Sequence, residues 1–266
     1  MGSAHDAAFR RESRAMNIAA LIPARMGSSR FPGKPLAPLL GKPMIGHVYE
    51  RVTRNALLTV TAVATCDRDI FNYVQSIGGR AVMTGGHHER ASDRCAEALG
   101  ILEAEDKVTY DIVVMVQGDE PMIHPDMISE ALVPMLEDSS LQVVNLLGKI
   151  ESTAEFEDRN CIKVVCDLLG NALYFSREPI PTRSKALTVP MGKQVCVIPF
   201  RRDFLLTYTR LAPTPLEIAE SVDMMRVLEH GLKLRMVPTR HDSHAVDTPR
   251  DLEMVVRLMA AASPDS

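Results

Sequence analysis

The chain has 266 residues, 46% of them hydrophobic and 24% charged, enough for one large core in an ordinary globular protein. Its 30 Lys and Arg against 34 Asp and Glu leave a formal net charge of −4, so no global basic field exists to hold long nucleic acid. No apolar run reaches membrane-spanning length.

Residues 1–15 are polar and carry Arg10, Arg11 and Arg14 without an apolar h-region, which predicts a disordered extension rather than a secretory signal. Residues 17–24 form a short apolar run that ends in a Gly/Ser/Pro-rich stretch, predicting a buried strand and a long loop. Ile45, Val48, Tyr49 and Val52 share a face if 42–55 is a helix. Strands are predicted at 59–65 and 80–83, helices at 69–77 and 92–102. Residues 111–116 (DIVVMV) are continuously apolar, as suits a central parallel strand covered on both faces, and a helix follows at 125–136. This alternation predicts an α/β fold, a mixed but mostly parallel sheet with helices on both faces.

The rhythm changes near Gln142. Strands are predicted at 142–150, 162–168, 172–175 and 193–200, with a turn at 168–171 and a mobile loop at 176–192. They suggest a small antiparallel lobe, at about 142–200, inserted into a single domain spanning 16–266. A helix at 216–231, a strand at 234–237 and a closing helix at 248–259 complete the chain; Thr248 and Pro249 supply its N-cap and first position.

Two segments carry chemistry-bearing residues. Residues 22–36 (IPARMGSSRFPGKPL) combine Gly27, Ser28 and Gly33 with Arg25, Arg30 and Lys34 in a loop that ends a strand. Small residues let backbone N–H groups approach phosphate oxygens, and the cations neutralise them; a solvated basic turn would read the same way. The acidic pair Asp119–Glu120 follows the DIVVMV strand directly, at the strand end where open α/β sheets bind ligands, and suits a hard cation such as Mg²⁺. Asp247 stands beside a helix cap and gains interest as a partner for Asp119. Cys66, Cys95, Cys161, Cys166 and Cys196 are odd in number and contain no C-x-x-C pair, which argues against a disulfide framework or structural zinc and fits a reducing cytoplasm.

Together IPARMGSSRFPGKPL, VQGDEP (116–121) and VDTPRDLE (246–253) resemble the 3-deoxy-manno-octulosonate cytidylyltransferases, in the same order across roughly residues 17–260. The resemblance implies a Rossmann-like, glycosyltransferase-A-like nucleotidyltransferase fold. It also implies CTP and an acidic sugar as substrates, Mg²⁺ as cofactor, a dimer-forming lobe and a role in lipopolysaccharide synthesis. Arg25 and Lys34 are then expected on the CTP phosphates with Arg30 in support, and Asp119 and Asp247 on Mg²⁺. Pro23, Ala24, Gly27, Ser28 and the run Ser92, Asp93 and Arg94 are expected to hold the nucleotide; Gln117, Arg177, Glu217 and Glu220 are expected near the sugar. Glu217 and Glu220 also read as an acidic first helical turn, and Arg177 as a loop ion pair with Glu178. His87, His88, His241 and His244 offer no distinct general base.

Two departures stand out. The family's S-G-T-E/D-R segment appears here as Ala91 to Arg94 preceded by Arg90, and a strand usually rich in His and Tyr reads KQVCVIPFR at 193–201. Both segments border the sugar side in family members, so they leave open CMP transfer to another acidic acceptor (an amino-modified octulosonate, a nonulosonic acid or a phosphonate). A nucleotide-binding regulator without catalysis is a separate alternative, against which the retained Arg25, Lys34, Asp119 and Asp247 argue.

Overall fold

The computed structural model describes residues 16–28, 30–182 and 191–261, so the predicted extension at 1–15 and residues 183–190 of the predicted 176–192 loop lie outside the described residues. The apolar run after Asn17 forms β1 (Ile18–Ala24), buried at every position. The Gly/Pro-rich loop tightens into a 3₁₀ turn at Lys34–Leu36 and then a short ribbon, β2 (Pro38–Leu39) and β3 (Lys42–Pro43). After it come α1 (Met44–Thr53), β4 (Val60–Thr65), α2 (Arg68–Ser76) and β5 (Ala81–Met83). The first half closes with α3 (Ala91–Asp106), β6 (Ile112–Val116) and α4 (Pro125–Glu137).

The second half runs β7 (Val144–Lys149), α5 (Thr153–Glu157), β8 (Lys163–Cys166), β9 (Ala172–Ser176), β10 (Gly192–Val195) and β11 (Val197–Arg201). Next come α6 (Arg202–Tyr208), α7 (Pro215–Glu220), α8 (Met224–Glu229), β12 (Arg235–Pro238) and α9 (Pro249–Ala261).

The first sheet has the order β11-β6-β1-β4-β5, parallel from β6 to β5, with β11 antiparallel at the β6 edge. Successive residues of β1 face opposite layers. Ala19 and Leu21 pack with Cys95, Leu99 and Leu102 of α3, whereas Ile18, Ala20 and Ile22 pack with α1, α2 and α4. Helices therefore cover both faces, as the continuous apolar strands require. Chain order reverses between β1 and β6, which makes the carboxyl ends of these two strands the topological switch point.

The second sheet, β12-β7-β10-β8-β9, is antiparallel except for the β12–β7 pair. Three sequence expectations are corrected. The strand predicted at 193–200 breaks at Cys196, and its halves join different sheets: β10 pairs β7, while β11 returns to β6. The lobe is not one contiguous insertion, because β12 is recruited to it from beyond residue 200. The helix predicted at 216–231 is two helices, since Ser221 takes a left-handed φ of 52° and ends α7. Among the described residues, no helix is long and apolar enough to cross a membrane.

Candidate active site

Two chain segments leave the switch point. The loop after β1 passes Arg25 and turns at Gly33, whose φ of 75° suits glycine and whose N–H closes onto the Met26 carbonyl at 3.0 Å. The Ser28 hydroxyl accepts the Phe31 N–H at 3.2 Å, so it shapes the loop from within. The loop after β6 carries Gln117 to Glu120. A side chain at Gly118 would place a Cβ 3.0 Å from the Pro23 carbonyl oxygen, so only glycine lets this loop lie flat against the end of β1.

Asp247 arrives from far along the chain. Val246 is buried with Leu39 and Met44 against α9, and its N–H donates to the Asp119 carbonyl at 2.8 Å. Thr248 and Asp251 exchange capping hydrogen bonds at the start of α9, 2.8 and 3.3 Å long, which fixes the backbone beside Asp247. The two aspartates thus converge. Lys34 Nζ lies 2.7 Å from Asp119 Oδ2 and 3.4 Å from Asp247 Oδ1, and Arg30 Nη2 lies 2.9 Å from Asp247 Oδ1. The other Arg30 amine donates to the Asn160 side-chain oxygen.

Glu120 behaves differently from its neighbour. It is buried and accepts from the Cys196 N–H at 3.1 Å and from the Ser243 hydroxyl. Burial, reinforced by the nearby Asp119 charge, pushes its carboxyl up to about 6. Its oxygens are spent tying the Asp119 loop to the β10–β11 break and to the 239–248 segment, so its role is to hold the backbone.

Beside the aspartates opens a cleft of about 350 Å³. Pro23, Ala24, Arg25, Arg30, Arg94, Gln117 and Arg177 line it, and these sequence-predicted residues are thereby brought together. Among the described residues, five arginines face the cleft (Arg25, Arg30, Arg90, Arg94 and Arg177) against Glu89 and Asp223 as its acids, a strongly cationic surface on an anionic protein. Arg94 is almost fully buried. One of its amines donates to Thr84 Oγ1 at 2.6 Å, while Nη2 has no partner among the described residues. Arg177 is held by carbonyls instead of the Glu178 carboxylate: Nε donates to Glu220 O at 2.6 Å and Nη1 to Arg159 O at 2.9 Å. Glu178 pairs with Arg159 at 2.8 Å.

Other predicted residues stand apart from the cleft wall. Ser92 is buried and donates to Asp223 Oδ2 at 3.2 Å. Glu217 is fully buried, with both oxygens on Arg226 at 2.6 and 2.7 Å, and the geometry gives it a place in the core rather than beside a ligand. The Glu220 carboxylate accepts from Tyr174, Ser176 and the Arg177 N–H, at 2.8 to 3.1 Å, and so supports Arg177 from behind. Gly27 and Ser28 shape the phosphate-type loop without lining the cleft.

A family profile described as cytidylyltransferase matches residues 19–234. The chain is 44% identical to the 3-deoxy-manno-octulosonate cytidylyltransferase of Geobacter metallireducens over 258 residues, covering 92% of this chain and 98% of that one. Its identity to the enzyme of the same name from Syntrophus aciditrophicus is 46% over 239 residues, 90% and 95% of the two chains. It belongs to the 3-deoxy-manno-octulosonate cytidylyltransferase family. A solved CMP:2-keto-3-deoxy-manno-octonic acid synthetase complexed with CTP superposes with a TM-score of 0.83 at 40% identity, over 93% of this chain and all of that one. A cytidylyltransferase from Leptospira borgpetersenii, 17% identical with a TM-score of 0.60, shares the fold. The chain is therefore an enzyme of a transferase family.

Sequence reasoning missed Asp223 as a cleft residue, whereas His88, Gln194 and Cys196 come from the two departing segments expected on the sugar side. Asp223 lay inside the helix read through 216–231, and only the break at Ser221 aims it inward. Both departures from the family pattern converge on the same wall: Arg90 from the start of α3, and Gln194, Cys196 and Ile198 from the β10–β11 segment.

Proposed function

We propose that this enzyme transfers CMP from CTP to the anomeric hydroxyl of 3-deoxy-manno-octulosonate and releases pyrophosphate. The observation that carries the reading is the convergence of Asp119 and Asp247 on Lys34 and Arg30, at the mouth of a cleft lined by arginines. Both substrates are anions, and joining them requires concentrated positive charge. Two carboxylates that meet at one ammonium form the oxygen-donor set that a hard dication prefers. Asp119 and Asp247 would hold Mg²⁺, which when bound supplies Lewis acidity at the α-phosphate.

The remaining work falls to side chains. Arg25, Arg30 and Lys34 neutralise the triphosphate and the departing pyrophosphate, once Lys34 and Arg30 exchange carboxylate partners for phosphate oxygens. Arg94 Nη2, without a partner among the described residues, offers a donor to a pyrimidine oxygen, and the Arg177 guanidinium, which meets no carboxylate among the described residues, offers its face to the sugar acid. The hydroxyl oxygen forms a bond to the α-phosphorus as the α–β bridging bond breaks in line; the hydroxyl proton leaves to solvent or phosphate. The free thiols support a cytoplasmic setting.

The test is pyrophosphate release with CTP, Mg²⁺ and a panel of acidic acceptors. Turnover with unmodified 3-deoxy-manno-octulosonate at least tenfold above every other acceptor is expected. Preference for an amino-modified or nine-carbon acid would assign Arg90 and Gln194 to a different acceptor, and CTP binding without turnover on any acceptor would favour the regulator reading.

We also propose a homodimer through the second sheet. Leu168 and Leu169 at the β8–β9 turn and Leu173 on β9 are exposed, as is Ile218 on α7, which Glu220 ties to β9. Exposed leucines clustered at the β8–β9 end of the second sheet are apolar surface that association would cover. Leu173→Glu is expected to convert the dimer to monomer at micromolar concentration, read by sedimentation velocity; a wild-type monomer would refute the dimer itself.

A further inference from the structure

The two loops that bring Asp119 and Asp247 together also meet outside the cleft. His124 is the N-cap of α4, five residues after Asp119; His241 follows β12, six residues before Asp247. Their rings stack, with centroids 4.0 Å apart and planes inclined by 7°. Asp126 reaches between them: its Oδ2 lies 3.6 Å from His124 Nδ1 and 3.9 Å from His241 Nε2. One nitrogen from each ring and one carboxylate oxygen lie within 4.8 Å of one another. Glu130 stands behind, 4.0 Å from His241 Nε2, with its oxygens engaged by the Thr239 hydroxyl and the Arg240 N–H.

We propose that His124, Asp126 and His241 form a transition-metal site, separate from the aspartate pair, that staples the 117–124 and 239–248 loops. Tetrahedral sites with nitrogen and oxygen bonds of about 2.1 Å set neighbouring ligand atoms roughly 3.4 Å apart, near the 3.6 and 3.9 Å from Asp126 to the two rings, and one imidazole turns out of the stack to aim its in-plane lone pair at the shared ion. Two imidazoles with one carboxylate select Zn²⁺, Co²⁺ or Ni²⁺ over Mg²⁺, which keeps to oxygen donors. All three side chains are at least partly exposed, so the ion can enter from solvent and keep water as its remaining ligand. If the ion binds Nδ1 of His124, it displaces the Asp126 N–H that this nitrogen now accepts at 3.2 Å, and that exposed amide passes to water. On the cleft side the same loops are already joined, by Val246 N–H to Asp119 O and by Ser243 to Glu120. The metal adds a second, outer clasp.

Co²⁺ is the probe, because its visible d–d bands report coordination. Titration of the full chain in excess Mg²⁺, which occupies the aspartates, is expected to show one equivalent of Co²⁺ bound at micromolar concentration. His124→Gln/His241→Gln should lose that equivalent and Asp247→Asn should keep it. In the same Mg²⁺ background, Zn²⁺ at a hundredfold excess over its dissociation constant should raise the thermal midpoint of the wild type by about 5 °C and that of the double variant by none. Equal midpoints of the two proteins in EDTA establish that the variant is folded. Co²⁺ bound equally by both proteins, or bound by neither, overturns the proposal.

Discussion

Asp119→Asn is expected to lower CTP-dependent pyrophosphate release roughly a thousandfold while leaving the thermal midpoint within about 2 °C of wild type. The side chain is about a quarter exposed, and an amide fills the same volume, so the fold has little reason to respond. The chemistry does. Removing one of two converging carboxylates halves the negative charge available to a dication and frees Lys34 from its 2.7 Å contact. Asp247→Asn should behave alike, and in both variants half-maximal activity should require much more Mg²⁺. Lys34→Met separates the roles: it should weaken apparent CTP affinity and slow turnover without moving the Mg²⁺ midpoint upward. If Asp119→Asn keeps activity within tenfold of wild type, the aspartate pair is not the metal platform, and the arginine-lined cleft must act on the phosphates unaided.

The parts of the site that adjoin strand ends were legible in the sequence. DIVVMV suits a central strand, and the residues just after such a strand lie at the ligand edge of the sheet, which points to Gln117 and Asp119 from pattern alone. The same logic placed Arg25 after β1. Asp247 was legible only through resemblance, because its delivery depends on Val246 packing with Leu39 and Met44, a tertiary contact without local signature. The second half was harder for a physical reason. Residues 192–201 satisfy strand patterning throughout, yet at Cys196 the backbone gives its N–H to Glu120 and its carbonyl to Gln117 instead of to a continuing ladder. A side chain 76 positions away therefore decides where the strand breaks. Likewise Glu217 and Glu220 read as sugar-side acids or as an acidic first helical turn, because nothing local announces that Arg226 and Arg177 meet them.

That hidden arginine leads to the largest expected effect on stability. Arg226→Met is expected to cost about 4 kcal/mol of unfolding free energy, measured by urea denaturation, and to lower the thermal midpoint by roughly 10 °C. Glu217 has no exposure, and Arg226 grips it with two hydrogen bonds while its guanidinium lies 5.2 Å from the Tyr208 ring. The carboxylate holds the guanidinium in its charged form. Removing the arginine leaves Glu217 with the Thr214 N–H at 3.2 Å and with Arg90, whose Nε is 3.4 Å away. Neither repays the desolvation of a buried charge. Arg90 also faces Asp223 at 3.3 Å on the cleft wall, so a Glu217 short of partners draws it inward and deprives Asp223 of its cation. The variant should therefore bind substrate less well even at temperatures where it is folded. Glu217→Leu combined with Arg226→Met separates the two consequences, since replacing both members of a buried pair by apolar residues is often nearly neutral. The double variant should recover most of the lost stability, and with Arg90 released from Glu217 but still beside Asp223, it should recover binding as well. A single variant that unfolds within about 1 kcal/mol of wild type would show that Arg90 already satisfies Glu217 unaided.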